Sequence, residues 1–273
     1  MNDDDKRYLR FNAVYIIDSL NNDEMQTGEA LHGILRYIQY KIEFLKCKLF
    51  KVNSKIELIQ LFKGLNEEVH AYGTHPFLHF EVHGSREGLV LNSNEAVSWK
   101  EIADLLRDIN IKTRNNTIVS LATCYGGFIY ESILPSLPAP FFAIIGPWNP
   151  VTSDEIMASF TRFFEFLFAT ENLNDIDFDL AVEKLNENND LTEKFGFYHA
   201  EIVYDRIVSE YEEKLKNPEE FNKRVESMVE FGLRIEGITN NMTLGEMRKA
   251  CELYLKNPNL VRQKMKSDFL MRG

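Results

Sequence analysis

Three cysteines in 273 residues, spread over positions 47, 124 and 251, are too few and too scattered for a disulfide framework or for paired zinc ligands. No apolar run approaches the roughly 18 to 20 residues that cross a bilayer, and the opening MNDDDKRYLR is charged where a secretory leader needs an apolar core. Cytoplasm is therefore the expected location, without membrane insertion. Positive charge is also scarce: 31 Lys and Arg against 42 Asp and Glu leave a net charge of −11, which argues against a broad phosphate-binding surface and hence against nucleic acid as a partner. No repeat or low-complexity segment stands out. What is plentiful is apolar surface, 44% of residues, enough for one large domain or one domain with an appendage.

Two apolar segments carry the most informative chemistry. FLHFEVHG (77–84) alternates, with Leu78, Phe80 and Val82 on one side and His79, Glu81 and His83 on the other, and IVSLATCYGG (118–127) is a short β-branched and apolar run. Both read as strands. Gly84 stops the first beside His83, and Gly126 and Gly127 stop the second just beyond Cys124. Between them SWKEIADLLRDI (98–109) opens with a Ser98/Glu101 capping box and sets Ile102, Leu105, Leu106 and Ile109 on one helical face. Strand, covering helix and strand imply a parallel pair with His83 and Cys124 at one carboxyl edge, the edge at which open α/β sheets bind ligands.

The remaining chain follows the same alternation. Residues 11–17 read as a first strand ending at Asp18, a helix starts near Thr27, and 42–52 alternates as an edge strand containing Cys47. Ser54/Glu57 and Thr152/Glu155 form two more capping boxes, each opening an amphipathic helix. IYESILPSL (129–137) reads as a helix of modest length, FFAII (141–145) as a buried strand, FDLAVEKLNEN (178–188) as a helix capped by Asp177, and FGFYHAEIVY (195–204) as a last strand running into a helix. From about Glu201 the pattern is helical and highly charged. The expected domains are 1–200, holding the chemistry, and 201–273, a helical C-terminal extension.

A cysteine nucleophile reacts as the thiolate, whereas a free thiol has a pKa near ~8.5. A histidine across the same edge can take its proton and return it to the leaving amine. Amides at Gly84 and Cys124 are candidate oxyanion donors, each such donor being worth about 2.7 to 4 kcal/mol.

These residues resemble the caspase-like cysteine peptidases, in particular their prokaryotic CHAT-type branch. The resemblance rests on His83-Gly84 after one strand, Cys124-Tyr125-Gly126 after the next, the helix between them preceded by SREGLVLNSNEAVSW, and IIGPWNPVTSDEIMASFTRFFEFLF (144–168) further on; it covers roughly residues 10 to 200. It implies a three-layer α/β/α sandwich with a mostly parallel sheet, and endopeptidase chemistry through an acyl-enzyme. It implies a Cys124–His83 dyad without an obligatory third residue, an oxyanion hole at Gly84 and Cys124, no cofactor, and a protein or peptide substrate. A regulated protease of a prokaryotic stress or antiviral defence pathway is the implied role, with activation through a regulatory protein partner or a cleavage event. The nucleophile's surroundings, Ala122-Thr123-Cys124-Tyr125-Gly126, depart from the Gln-Ala-Cys-Arg-Gly type of aspartate-specific caspases, so aspartate specificity does not transfer. Asp18 and Asp154 are instead candidate substrate-binding carboxylates for a basic residue before the scissile bond, set against the plainer reading of Asp18 as a turn former.

Several other groups carry weaker signals. His79, Glu81 and His83 share a strand face that would need a further ligand to hold a metal, so no metal is expected. Asp175, Asp177 and Asp179 imitate the opening of a calcium loop without its glycine or closing glutamate. Cys251 reads as a packing group and His199 as structural. The competing function is a catalytically silent binding module of the same fold.

Overall fold

The computed structural model describes residues 11–42, 45–169, 178–187, 194–234, 242–256 and 258–272. They fall into two compact units, one ending at Ala200 and the other formed by Pro135–Leu137 with the residues from Glu201 onward. The first is a mixed α/β structure of two sheets flanked by helices, of general α/β/α type.

Its main sheet has six strands in the order β2 (Lys46–Lys51), β1 (Ala13–Asp18), β3 (Pro76–Glu81), β7 (Ile118–Ala122), β8 (Ala143–Pro147) and β9 (Phe195–His199). All neighbours run parallel except β8 and β9, which are antiparallel. The central strands β1, β3, β7 and β8 are buried along their whole length, and all but β3, which carries His79 and Glu81, read as nearly continuous apolar runs. The alternation in 42–52 marks the opposite case: β2 lies at the sheet edge, half exposed, with Lys46, Lys48 and Lys51 along it, a composition that discourages pairing with a further strand.

Helices α1 (Thr27–Gln39), α4 (Ser153–Leu167) and α5 (Phe178–Asn186) share one core with β1, β3, β7 and β8, in which Phe77 meets Phe163 and Phe164 and Phe160 meets Phe195. On the other face α2 (Lys55–Tyr72) stacks Phe62 on Phe80, and α3 (Trp99–Lys112) packs beside it. The capping boxes at Ser98/Glu101 and Thr152/Glu155 form in both directions. At α2 only half of the expected box forms: Ser54 accepts from the Glu57 amide, while the Glu57 carboxylate turns to Asn53. Gly73, in the left-handed region at φ 62°, ends that helix.

Two segments differ from their sequence reading. SREGLVLNSNEAVSW is more than a connection: β4 (His83–Gly84), β5 (Gly88–Val90) and β6 (Ala96–Ser98) form a small antiparallel sheet, so His83 belongs to that sheet and the parallel strand stops at Glu81. Residues 126–132 form a short 3₁₀ turn in place of a helix over 129–137, because Pro135 and Pro138 leave no room for α-helical hydrogen bonds to develop. Asp175 and Asp177 lie outside the described residues.

The second unit contains α7 (Pro218–Leu233), α8 (Leu244–Lys256) and α9 (Pro258–Phe269), and most of α6 (Ala200–Lys214). Val225, Val229 and Met247 make a small core with Cys251 packed against it, and Tyr204 lies on Phe269. Lys266 pairs with Glu201 and Asp205. Among the described residues no helix is long and apolar enough to cross a membrane.

Candidate functional site at the carboxyl edge of β3 and β7

The pairing of β3 with β7 runs from Phe77↔Ile118 to Glu81↔Ala122, a constant offset of 41 residues, and the same offset beyond the strand ends relates His83 to Cys124. Topology thus brings the two candidate residues to neighbouring strand ends. The backbones come very close there: a Cβ on Gly84 would stand 2.3 Å from the Cys124 carbonyl oxygen and 2.2 Å from Thr123 Oγ1. Only glycine fits that approach, which is the physical reason for the His83-Gly84 dipeptide.

Cys124 sits half-buried in a tight turn. Tyr125, the next residue, has φ 61°, a left-handed conformation that a bulky side chain adopts at a cost of about 1–3 kcal/mol. That strained turn throws the chain back so that Gly126 and Gly127 can pass beneath Pro147 and Trp148; a Cβ on Gly127 would stand 2.8 Å from the indole ring. The sulfur accepts from the Val151 amide at 3.4 Å and lies 3.6 Å from the Val151 carbonyl oxygen. Among the described residues the Cys124 amide donates to no protein acceptor, leaving it available to an oxyanion.

His83 is held differently. Its Nε2 lies 2.9 Å from both carboxylate oxygens of Glu24, so Nε2 carries the proton and Nδ1 is the basic nitrogen. The imidazole side chain is 51% exposed and Glu24 34% exposed, so the pair is reachable from solvent. Glu24 belongs to the turn after β1, where the Asn21 amide donates to it at 3.0 Å and Asn21 Nδ2 at 3.3 Å. Gln26 in turn donates to the carbonyls of Asn21 and Glu24. Partial burial pushes the Glu24 carboxyl up, but the His83 and Asn21 hydrogen bonds outweigh it and hold the group below its usual range. Glu24 was not singled out in the sequence; the cluster of Asn and Glu side chains after a strand was the available signal.

His83 and Cys124 make no hydrogen bond to each other: the sulfur is engaged by Val151 and Nε2 by Glu24. For the thiol proton to reach Nδ1, the sulfur must turn away from Val151.

Asp18 is fully buried. Its Oδ2 is 3.0 Å from Lys51 Nζ and its Oδ1 accepts from the Leu20 amide at 2.9 Å, so a substrate cation would have to take the place of Lys51. Asp154 is exposed in the first turn of α4. His79 and Glu81, on the same strand face as His83 in the sequence reading, are sealed in the core. Ser120 Oγ and His79 Nδ1 are 2.6 Å apart, His79 Nε2 and Glu81 Oε1 2.9 Å, and Thr27 Oγ1 donates to Glu81 Oε2 at 2.7 Å. This chain has the residue types of a hydrolase triad, but with Ser120 and His79 entirely buried it is out of substrate's reach. Among the described residues no group of three metal-ligating side chains converges. Cys251 is half-buried against the helical core, and the His199 ring contacts Phe142 and Phe197.

No protein-family model matches the chain, and no curated protein does. Among solved structures, Raptor from Chaetomium thermophilum is similar at 13% identity with a TM-score of 0.36, over 62% of this chain and 20% of that one. The matched region is thus a fifth of Raptor's length, and a score below 0.5 sets no correspondence between the two folds.

Proposed function

We propose that the chain is a cysteine endopeptidase of caspase-like, CHAT-type architecture acting in the cytoplasm, with Cys124 as nucleophile and His83 as base. The observation that supports this reading is that the β3–β7 pairing ends at Glu81↔Ala122, two residues before His83 and Cys124, with Gly84 pressed against the Cys124 carbonyl. Attack by the thiolate on a peptide carbonyl forms a tetrahedral intermediate whose oxyanion the Cys124 amide holds. As it collapses, the C–N bond breaks, protonated His83 gives its proton to the leaving amine and the acyl-enzyme remains; water, deprotonated by the same imidazole, then releases the acyl group. Glu24 would keep Nδ1 turned toward the reaction and stabilise the imidazolium, which adds a third member to the dyad. A regulated role in a prokaryotic defence or stress pathway, with a protein substrate and activation through a protein partner or a cleavage event, follows from the family resemblance.

A thiol-reactive peptide warhead is the direct test. Labelling of the wild-type protein that is lost in Cys124→Ala, strongly slowed in His83→Ala and indifferent to a chelator supports the reading. Equal labelling of Cys124→Ala ends it and leaves the silent binding module, whose occupancy by a partner would survive both substitutions.

A further inference from the structure

We propose that Arg86 is a specificity residue that selects an acidic side chain on the leaving-group side of the cleaved bond. This rests on the peptidase reading above and adds a substrate class to it.

Arg86 is exposed in the turn between β4 and β5, three residues beyond His83. Its guanidinium carbon lies 5.6 Å from the centre of the Tyr125 ring and 5.5 Å from that of Phe128, which places the cation across the edge, against the residue that follows the nucleophile. The rings are themselves fixed: Tyr125 packs edge-on to Phe128, and Phe128 edge-on to Trp148, whose Nε1 donates to Tyr198 Oη at 2.8 Å. An arginine braced on aromatic faces has its planar fork oriented in advance and keeps its N–H donors free at the rim. Among the described residues no carboxylate lies within ion-pair distance of it. Glu24, which holds the His83 imidazole, is engaged by His83 and Asn21.

The side of the bond follows from the chemistry. The leaving amine must lie within reach of His83, which protonates it, and Arg86 is presented by the turn that leaves His83. Of the two carboxylates considered for recognition, Asp18 is already neutralised by Lys51 and Asp154 stands in the first turn of α4, whereas Arg86 rests on the residue beside Cys124. A carboxylate just after the scissile bond would meet Arg86 and form a charge-assisted, two-pronged contact.

Two measurements test this. In the first, a proteome-derived peptide library is digested by wild type, Arg86→Ala, Arg86→Glu and Cys124→Ala, and the residues following each Cys124-dependent cut are counted. Enrichment of Asp and Glu there, flattened in Arg86→Ala and turned toward Lys and Arg in Arg86→Glu, supports the proposal; no enrichment, or enrichment that Arg86→Ala keeps, overturns it. The second needs no turnover: hexapeptide pools differing only in a fixed Glu, Gln or Lys are bound to Cys124→Ala and to Cys124→Ala/Arg86→Ala. A preference for the Glu pool of about fivefold, the upper end for an exposed ion pair, lost with Arg86 and suppressed in 1 M salt where the screening length is about 3 Å, supports it. Equal binding of the pools overturns it. Absence of any Cys124-dependent cut would sink the peptidase reading, and the binding arm would then decide Arg86 alone.

Discussion

Two histidine–carboxylate pairs stand four residues apart along one stretch of chain and have opposite fates. His79–Glu81 lies in the core, where every polar atom is matched: Ser120 on Nδ1, Glu81 on Nε2, Thr27 on the far oxygen, and Phe160 edge-on to the ring at 4.6 Å. His83–Glu24 lies at the rim, with no partner on Nδ1 among the described residues and solvent at hand. The same chemical pair is a structural clamp where it is sealed and is accessible to solvent where it is open. What separates them is the end of the β3–β7 ladder at Glu81 and Ala122, two residues short of His83.

The sharpest way to break this comparison is to remove each imidazole. His83→Ala should lower Cys124-dependent cleavage by about 10²–10⁴-fold, the range for a lost general base, and leave the melting temperature within a degree or two. Glu81→Leu should do the reverse. It strands the His79 Nε2–H and the Thr27 hydroxyl in the core at about 1–3 kcal/mol each, so thermal unfolding should fall by several degrees while residual folded protein still labels at Cys124. Reversal of these two outcomes would show that the core pair, not the rim pair, carries the chemistry.

Glu24→Gln sharpens the comparison further. Activity should drop by roughly tenfold, at the low end of supporting-residue effects, with binding of peptide pools to the Cys124→Ala background unchanged. The carboxyl of Glu24 should titrate below its midpoint in the unfolded chain, and His83→Ala should move that midpoint upward. The linkage sign follows: because the folded value is depressed, the pair's contribution is full above the unfolded carboxylate value and is lost as pH falls through the folded one. Carbon-13 detected titration reads both.

Two thiols give a smaller contrast. Burial pushes the Cys47 thiol up to about 12, with nearby Arg36 only partly offsetting it, so at pH 8 about one molecule in ten thousand is thiolate there. Iodoacetamide should therefore modify Cys124 and spare Cys47, as peptide mass mapping would show. The smallest expected effect is at the N-terminus of α3, where the Lys55 and Ser98 hydrogen bonds pull Glu101 down to about 2. Glu101→Gln should cost under about 1 kcal/mol at pH 7, since the pair is exposed. That difference should fade as pH falls from the ordinary carboxylate value toward about 2.

The strands and helices that carry the site were legible because their signals are local. Capping boxes at Ser98 and Thr152, glycines after His83 and Cys124, and the alternation in β2 each depend on neighbours within a few residues. The fully buried β3 was harder, since His79 and Glu81 look like an exposed polar face until Ser120 and Thr27 arrive from other elements to satisfy them. The β4–β5–β6 sheet was read as a connection because its strands are two or three residues long, too short for a period to show.

Sequence alone determined which residues hold reactive groups and that the strands leading to them run parallel, because backbone conformation and hydrophobic periodicity are written in short windows; that β3 stops at Glu81 and His83 joins a second sheet was not legible there. Only the tertiary structure decided that Glu24 caps His83, that Lys51 neutralises Asp18 and that Arg86 lies over Tyr125. Those partners are separated by 33 to 59 residues of chain, and pairing of charges across such distances is set by how the sheet and its loops pack, not by any local preference.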